Sequence, residues 1–289
     1  MHGGRILCAL ALWAVGCKTS APGGRSPDAA PPGETADAAP DEATCDLPPG
    51  DTGGKLVRVV FLVPSDRDAD LTYVANLEHA LRTTQLWLAD RMPGRTSFRV
   101  HEPPVEVLAT PHPAAWYATQ PNPPASEDPT HWFWFNTIDD GFGVTGGTWD
   151  DPDNVWLFYI QADRECDQAD GGVAGVAVLP ENDLRGLAGE EIVAYCDETP
   201  EELMFSRCRW VGGMLLRVLN ALELPPPTAC TDEDDATPCE EDIVTRGGFK
   251  TFPEATLSDD QLDYLEDSPW VRAVGLPECQ LECEEPVAP

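Results

Sequence analysis

From residue 55 onward the chain alternates apolar runs of strand length with apolar stripes at helical spacing. "KLVRVVFLVPSD" is a β-branched run that predicts a strand ending near Pro64. In "DADLTYVANLEHALRTTQLWLADRM", Leu71, Val74, Leu77, Leu81 and Leu88 recur at helical spacing, which predicts an amphipathic helix packed on that strand. "TSFRVHEPPVEVLAT" predicts a second extended segment, interrupted by Pro103 and Pro104. A long stretch bearing Pro and Trp follows, to which the pattern assigns no element. "NVWLFYIQAD" is apolar at nearly every position, as expected of a central strand covered on both faces. "GGVAGVAVLP" predicts a shorter strand whose Gly171, Gly172 and Gly175 suit an edge position or a close backbone approach. A helix is expected from about Glu201 to Leu222, with Met204, Val211, Leu215, Val218 and Leu222 as its stripe. Near the end, Ser258 caps a short helix in "DDQLDYLED", with Asp in its first turn. The order strand, helix, strand, strand, strand, helix predicts an α/β (α+β) fold, a twisted mixed sheet backed by helices.

Composition agrees with a folded domain: 42% of the 289 residues are hydrophobic, enough for one large or two modest domains. The charge balance removes whole classes of partner. Eighteen Lys and Arg against 51 Asp and Glu give a formal net charge of −33, which repels nucleic-acid phosphates and anionic headgroups. Such acidity either solvates the surface or attracts basic partners.

The first residues carry one Arg, then an apolar run from Ile6 to Val15, too short for a permanent membrane span and suited to a signal peptide. Ala14-Val15-Gly16-Cys17 resembles a bacterial lipobox, departing from it at Ala14, where Leu is more usual. The resemblance implies cleavage before Cys17 and lipid attachment to it; the alternative is a secretory peptide cut elsewhere. Residues 1–16 are thus expected to be a lipoprotein signal peptide. Residues 17–54, rich in Pro, Ala and Asp and poor in large apolar side chains, read as a flexible tether, and residues 55–289 as the folded domain. The expected place is lipid-anchored at the bacterial cell envelope, at the outer membrane or surface. In an exported protein the cysteines left after Cys8 and Cys17 read as disulfides: Cys45, Cys166, Cys196, Cys208, Cys230, Cys239, Cys279 and Cys283. Cys230 and Cys239 are close enough to close a small loop, and no pair has double C-x-x-C zinc spacing.

Three segments align in order with one known pattern: "GVAVLPENDLRGL", then "RWVGGMLLRVLNALELPPP", then "CTDEDDATPCEEDIVTRGGF" leading to "LSDDQLDYLEDSPW". Together they resemble a family of secreted bacterial zincin-type, metzincin-like metalloproteases, over about two-thirds of the chain. The resemblance implies a zincin-like fold in which a helix carries HExxHxxGxxH. Two His one turn apart and a third beyond a Gly turn hold zinc, and the Glu is the general base. In this chain the frame falls on Leu216, Arg217, Asn220, Glu223 and Pro226, and the Met-turn position falls on Val244. Every chemical position is replaced. Arg217 adds a fixed positive charge where the base would be, which would repel zinc; pairing with a carboxylate such as Glu223 is expected.

No other set of residues offers the metal. His2 lies in the signal peptide, and His79, His101, His112 and His131 have no paired spacing. His79 is expected to face solvent, His112 and His131 to pack. Asp66, Asp68 and Asp70 have calcium-loop spacing, but Leu71 and Leu77 stand where that loop needs Gly and Glu, so they read as a turn and helix cap. Asp232, Asp234 and Asp235 could hold calcium; otherwise their loop is an exposed one. The expected function is therefore binding or scaffolding by a pseudoprotease without cofactor. The alternatives are a hydrolase using an unrecognised site and a structural envelope protein. In the resembled family an extended peptide lies along the edge strand above the helix. Here that strand would be Gly172, Val173, Ala174, Gly175, Val176, Ala177 and Val178, its small side chains leaving the backbone open to a peptide or protein partner, a basic one favoured by the acidic surface. Intact-mass analysis provides the first test: Cys17→Ser should lack the mass of the attached lipid, and an unchanged mass would refute the lipobox.

Overall fold

The computed structural model describes residues 48–51, 53–190, 196, 206–228, 230, 241–244, 248–279 and 282–283. Strand β1 (Leu56–Val63) forms where the β-branched run predicts it, and Asp70 starts helix α1 (Leu71–Arg91) by accepting a hydrogen bond from the Thr72 N–H. Leu77, Leu81 and Leu88 of its stripe are fully buried, while Leu71 at the first turn is 64% exposed. The next extended segment divides into β2 (Thr96–Phe98) and β3 (Val100–Ala109), and the latter runs through Pro103 and Pro104. Two prolines are tolerated because β3 is an edge strand, paired on one side only.

Strand β4 (Asn154–Ile160) lies at the centre, as its apolar composition demands. It is parallel to β1, with Leu56 opposite Asn154 and Leu62 opposite Ile160. The five-stranded sheet is completed by β5 (Gly171–Val173) and β6 (Val176–Leu179), in the order β3-β1-β4-β6-β5, parallel except for β5. "GGVAGVAVLP" is thus a hairpin rather than one strand. Gly172 and Val173 are on the edge, Ala174 and Gly175 turn the chain, and Val176, Ala177 and Val178 are interior, paired on both sides and fully buried. The run gives no signal for the reversal because its small residues suit strand and turn alike; Gly175 meets the turn's requirement with φ of +81°.

The two faces of the sheet bury separate cores. Val57, Val59, Phe61, Leu157 and Tyr159 face α1 and the later helices, while Val60, Leu62, Trp156, Phe158 and Ile160 face the other way. That second face is covered by α2 (Ala114–Thr119) and α3 (Trp132–Thr145), both from the Pro- and Trp-bearing stretch left without an element. Their Tyr117, Phe133 and Ile138 are fully buried against it.

Helix α4 (Glu181–Leu187) follows β6 directly, and α5 (Arg207–Ala221) begins six residues later than expected, the stripe residue Met204 lying outside the described residues. Val211, Leu215, Val218 and Leu222 are buried as predicted. Helix α6 (Asp259–Asp267) has the expected capping by Ser258, whose N–H donates to Gln261 Oε1 at 2.9 Å, and β7 (Val271–Ala273) pairs antiparallel with β2. Two disulfides tie the C-terminal part, Cys166 to Cys196 and Cys208 to Cys283. Cys230 and Cys279 are also disulfide-bonded, but the expected loop partner Cys239 lies outside the described residues.

The end of α5 forms a backbone motif without the residue that usually supports it. The Leu224 N–H donates to Leu219 O at 2.9 Å and the Glu223 N–H to Asn220 O at 3.0 Å, the two hydrogen bonds of a Schellman cap. Leu224 packs into the same core as Leu219, supplying the apolar contact that accompanies such caps. The cap needs a left-handed residue, normally Gly, and Glu223 adopts it with φ of +64°. A side chain there costs roughly 1 kcal/mol of backbone strain. Glu223→Gly should therefore raise the stability by up to about 1 kcal/mol in urea denaturation, since relief of strain outweighs the added freedom of the unfolded chain. A loss of stability would show that the Glu223 side chain, not the backbone, holds the cap.

Candidate functional site

The frame positions sit where α5 passes the β5 end of the sheet. Leu216 is buried, Arg217 and Asn220 are half-buried, and Glu223 and Pro226 are exposed beyond the helix end. Helix and hairpin touch because β5 opens with glycines. A Cβ on Gly172 would lie 3.3 Å from both Arg217 O and Asn220 Cβ, and one on Gly171 would lie 2.9 Å from Arg217 Nη1. The Arg217 guanidinium thus lies across the first residue of the edge strand.

Its carboxylate is not Glu223. Arg217 Nη2 donates to Asp170 Oδ1 at 3.4 Å, and Arg164 Nε donates to the other oxygen of Asp170 at 2.9 Å. Glu223 instead lies beyond the helix end, in the left-handed turn, and is exposed there. Arg164 is further fixed by donating Nη1 to the carbonyls of Glu165, Cys166 and Gln168. Arg209, one helical stretch earlier on α5, stacks on Trp210 with its guanidinium carbon 4.3 Å from the ring centre.

These groups line a cleft of about 180 Å³ together with Asn182 and Asp183 from the start of α4. None of the three arginines was singled out by sequence for this cleft except Arg217, because Arg164 and Arg209 converge only through the fold. The Asp183 carboxyl is pushed up to about 7, mainly by burial and further by the neighbouring Asp170, against the opposing pull of Arg217, Arg209 and Arg164. Among the described residues the fully buried Tyr159 hydroxyl has no hydrogen-bond partner, and neither has the Asn182 amide nitrogen. Burial pushes the Tyr159 phenol well above its ordinary value, so it remains a neutral hydroxyl.

The residues at the positions implied for zinc do not fit the metal. A leucine, a half-buried amide and an exposed proline supply no ligand set comparable to three imidazoles. Among the described residues no three His, Cys, Asp or Glu side chains gather to hold a metal ion. Val244 sits in a turn where its N–H donates to Asp242 Oδ1 at 3.0 Å, and the 3-10 turn Gly248–Thr251 that follows packs under α5. Gly212 permits that contact, since a Cβ there would come within 2.2 Å of Phe249 O.

The histidines are dispersed. His79 is half-buried rather than solvent-facing, its Nε2 2.8 Å from Glu282 O, and burial lowers its pKa. His112 stacks on Trp116 at 3.6 Å and its Nδ1 lies 2.9 Å from Asp140 Oδ2, so it is held by a hydrogen bond as well as by packing. His131 meets Phe135 edge-on, and His101 lies 3.6 Å from Glu106. Asp70 is the α1 cap, and Asp66 accepts from the Ala114 N–H at 2.8 Å. Asp232, Asp234 and Asp235, the other calcium candidates, lie outside the described residues.

No family model and no curated protein matches the chain. Among solved structures it is similar to crystal structures of OgpA from Akkermansia muciniphila. The wild type in one crystal form is 15% identical with a TM-score of 0.48, covering 79% of this chain and 65% of that one. A catalytic inactive OgpA in complex with an O-glycopeptide (glycodrosocin) substrate is 16% identical with a TM-score of 0.40, covering 64% of this chain and 52% of that one. The chain thus spans just under two-thirds or less of the length of these structures.

The raised Asp183 carboxyl has a definite signature in stability. Below about pH 4 the group is protonated in both folded and unfolded chains and contributes nothing. As pH rises towards 7 the unfolded chain releases the proton while the folded chain keeps it, so stability declines. Above about 7 the folded state must ionise the buried acid, and the penalty is complete, on the order of a few kcal/mol. Asp183→Asn should therefore stabilise the protein at pH 8 and leave it nearly unchanged at pH 4, measured by denaturant titration at both values. An equal effect at the two pH values would show that ionisation of Asp183 carries no penalty.

Proposed function

We propose that this chain is an exported lipoprotein whose zincin-like domain captures an extended segment of a partner without hydrolysing it. The observation that carries the reading is Arg217. At the position where the resemblance implies a general base there is a guanidinium, joined to Asp170 and lying across Gly171, with Leu216 and Asn220 in place of the paired ligands. A permanent cation cannot accept the proton of an attacking water. The Schellman cap at Glu223 supports descent of the helix end from a frame that needed Gly, because the left-handed turn persists without it. The disulfides Cys166–Cys196 and Cys208–Cys283 support an oxidising compartment, as export by a lipoprotein signal requires. No helix among the described residues is long and apolar enough to cross a membrane.

Strand addition is the mode of capture that needs no metal. The edge is β5, with Val173 48% exposed and Trp149 42% exposed beside the hairpin. Gly171 O already accepts from Trp134 Nε1 at 3.1 Å, so the partner's ladder would begin beyond it. A formal charge of −33 favours a partner that is basic overall. Such short strand addition should be weak, on the order of micromolar.

The full chain should carry no stoichiometric zinc and leave unfolded casein intact. One tightly held zinc per chain, lost together with cleaving activity on chelation, would overturn the reading in favour of an active peptidase. In a peptide-array search, N-methylation of the backbone amides of a captured peptide should reduce capture, because strand addition uses them as donors. Val176→Pro cannot serve, because Val176 is paired inside the sheet with Trp156.

A further inference from the structure

We propose that the cleft beside Arg217 binds a carboxylate presented by the captured chain; the inference rests on the reading above only for the direction from which that group arrives. The molecule is strongly acidic, yet here three guanidinium groups face two carboxylates. Two of the three are committed elsewhere. Arg164 is fixed by Asp170 and three carbonyls, and Arg209 is packed on Trp210. Arg217 makes one hydrogen bond among the described residues, a long one to Asp170, and its side chain is 29% exposed. A guanidinium has five N–H donors in a planar fork, so most of those of Arg217, a residue lining the cleft, are not taken up among the described residues.

A second donor stands in the same cleft. The Asn182 amide nitrogen has no hydrogen-bond partner among the described residues although the residue is only 2% exposed. A buried amide left without a partner costs about 1–3 kcal/mol, which an incoming acceptor would recover. Trp210, Leu216 and Phe249 form apolar walls and strengthen any ion pair made between them.

Size and shape select the ligand group. A cleft of about 180 Å³ holds roughly six waters at about 30 Å³ each, room for an end group or a short acidic side chain and too little for a whole small molecule. A planar carboxylate matches one guanidinium fork in two parallel hydrogen bonds. A phosphate would bring more negative charge towards Asp170 and Asp183 than one open arginine offsets. The cleft also lies at the Gly171 end of β5, so a chain laid along the edge strand would deliver a terminus or side chain into it. That carboxylate belongs to either a peptide C-terminus or an Asp or Glu side chain.

The full chain should be titrated with sodium acetate and with acetamide at low ionic strength, following tryptophan fluorescence and chemical shifts. Acetate should bind saturably and acetamide should not. Arg217→Gln should weaken acetate at least tenfold, and Asn182→Asp, which turns the buried donor towards an acceptor, should do the same. Thermal melting confirms that each variant is folded. Equal response to acetate and acetamide, or undiminished acetate binding by folded Arg217→Gln, would overturn the proposal. Peptides with free and amidated C-termini, with and without an internal Glu, then separate the sources: loss on amidation assigns the terminus, and retention by amidated Glu peptides assigns the side chain. Backbone N-methylation of the peptide distinguishes the two readings, since it should impair capture along the edge strand while acetate still binds.

Discussion

A parallel sheet whose central strands are apolar on both faces has to be covered twice, and the rest of this fold follows from that requirement. In β4 the residues alternate between two cores, Leu157 and Tyr159 on one side and Trp156, Phe158 and Ile160 on the other. Leaving either set in water would forfeit about 1.5–3 kcal/mol for each large side chain. Helices α1 and α5 shield one face, α2 and α3 the other. The candidate site is a by-product of this arrangement. It lies where α5, held down by its stripe of Val211, Leu215 and Val218, runs past the last strand of the sheet and leaves its polar side over β5.

The helix that frames the site keeps its shape for reasons independent of any metal. Its exit is set by two main-chain hydrogen bonds and the packing of Leu224 near Leu219, and those interactions hold even with a residue poorly suited to the left-handed turn. Its underside is fixed by the close approach of Phe249 at Gly212. The course of the backbone past Leu216, Arg217 and Asn220 is therefore set by packing and main-chain hydrogen bonds rather than by those side chains. The charge of the cleft is decided by its arginines, Arg217 foremost.

How much of this was legible in the sequence depends on how local each signal is. Strands β1 and β4 and helices α1 and α6 stand out because their β-branched runs, apolar stripes and caps are contained within a few residues. The second helical layer does not, since Pro113 and Pro129 break the pattern on either side, and α3 carries aromatic residues around most of its circumference. Yet "NVWLFYI", apolar at every side-chain position but the first, already required some segment to form that layer. The hairpin was hidden by small residues that fit strand and turn equally. At the site, the frame positions could be counted along α5, but the partner of Arg217 could not: Asp170 lies 47 residues away, and nothing in its neighbourhood marks it.

Cys208, in the first turn of α5, is joined to Cys283 across a separation of 75 residues. Closing a loop of that length restrains the unfolded chain by on the order of 4 kcal/mol in the chain-entropy account. The neighbouring Arg207 reaches in the same direction, donating to Cys283 O at 3.0 Å and to Asn76 Oδ1 at 3.1 Å. Both ties join the start of α5, the helix that carries Arg217, to the distant Cys283. A chain cut before Cys283 would therefore lose an anchor of the helix beside the cleft while keeping every residue that lines the cleft.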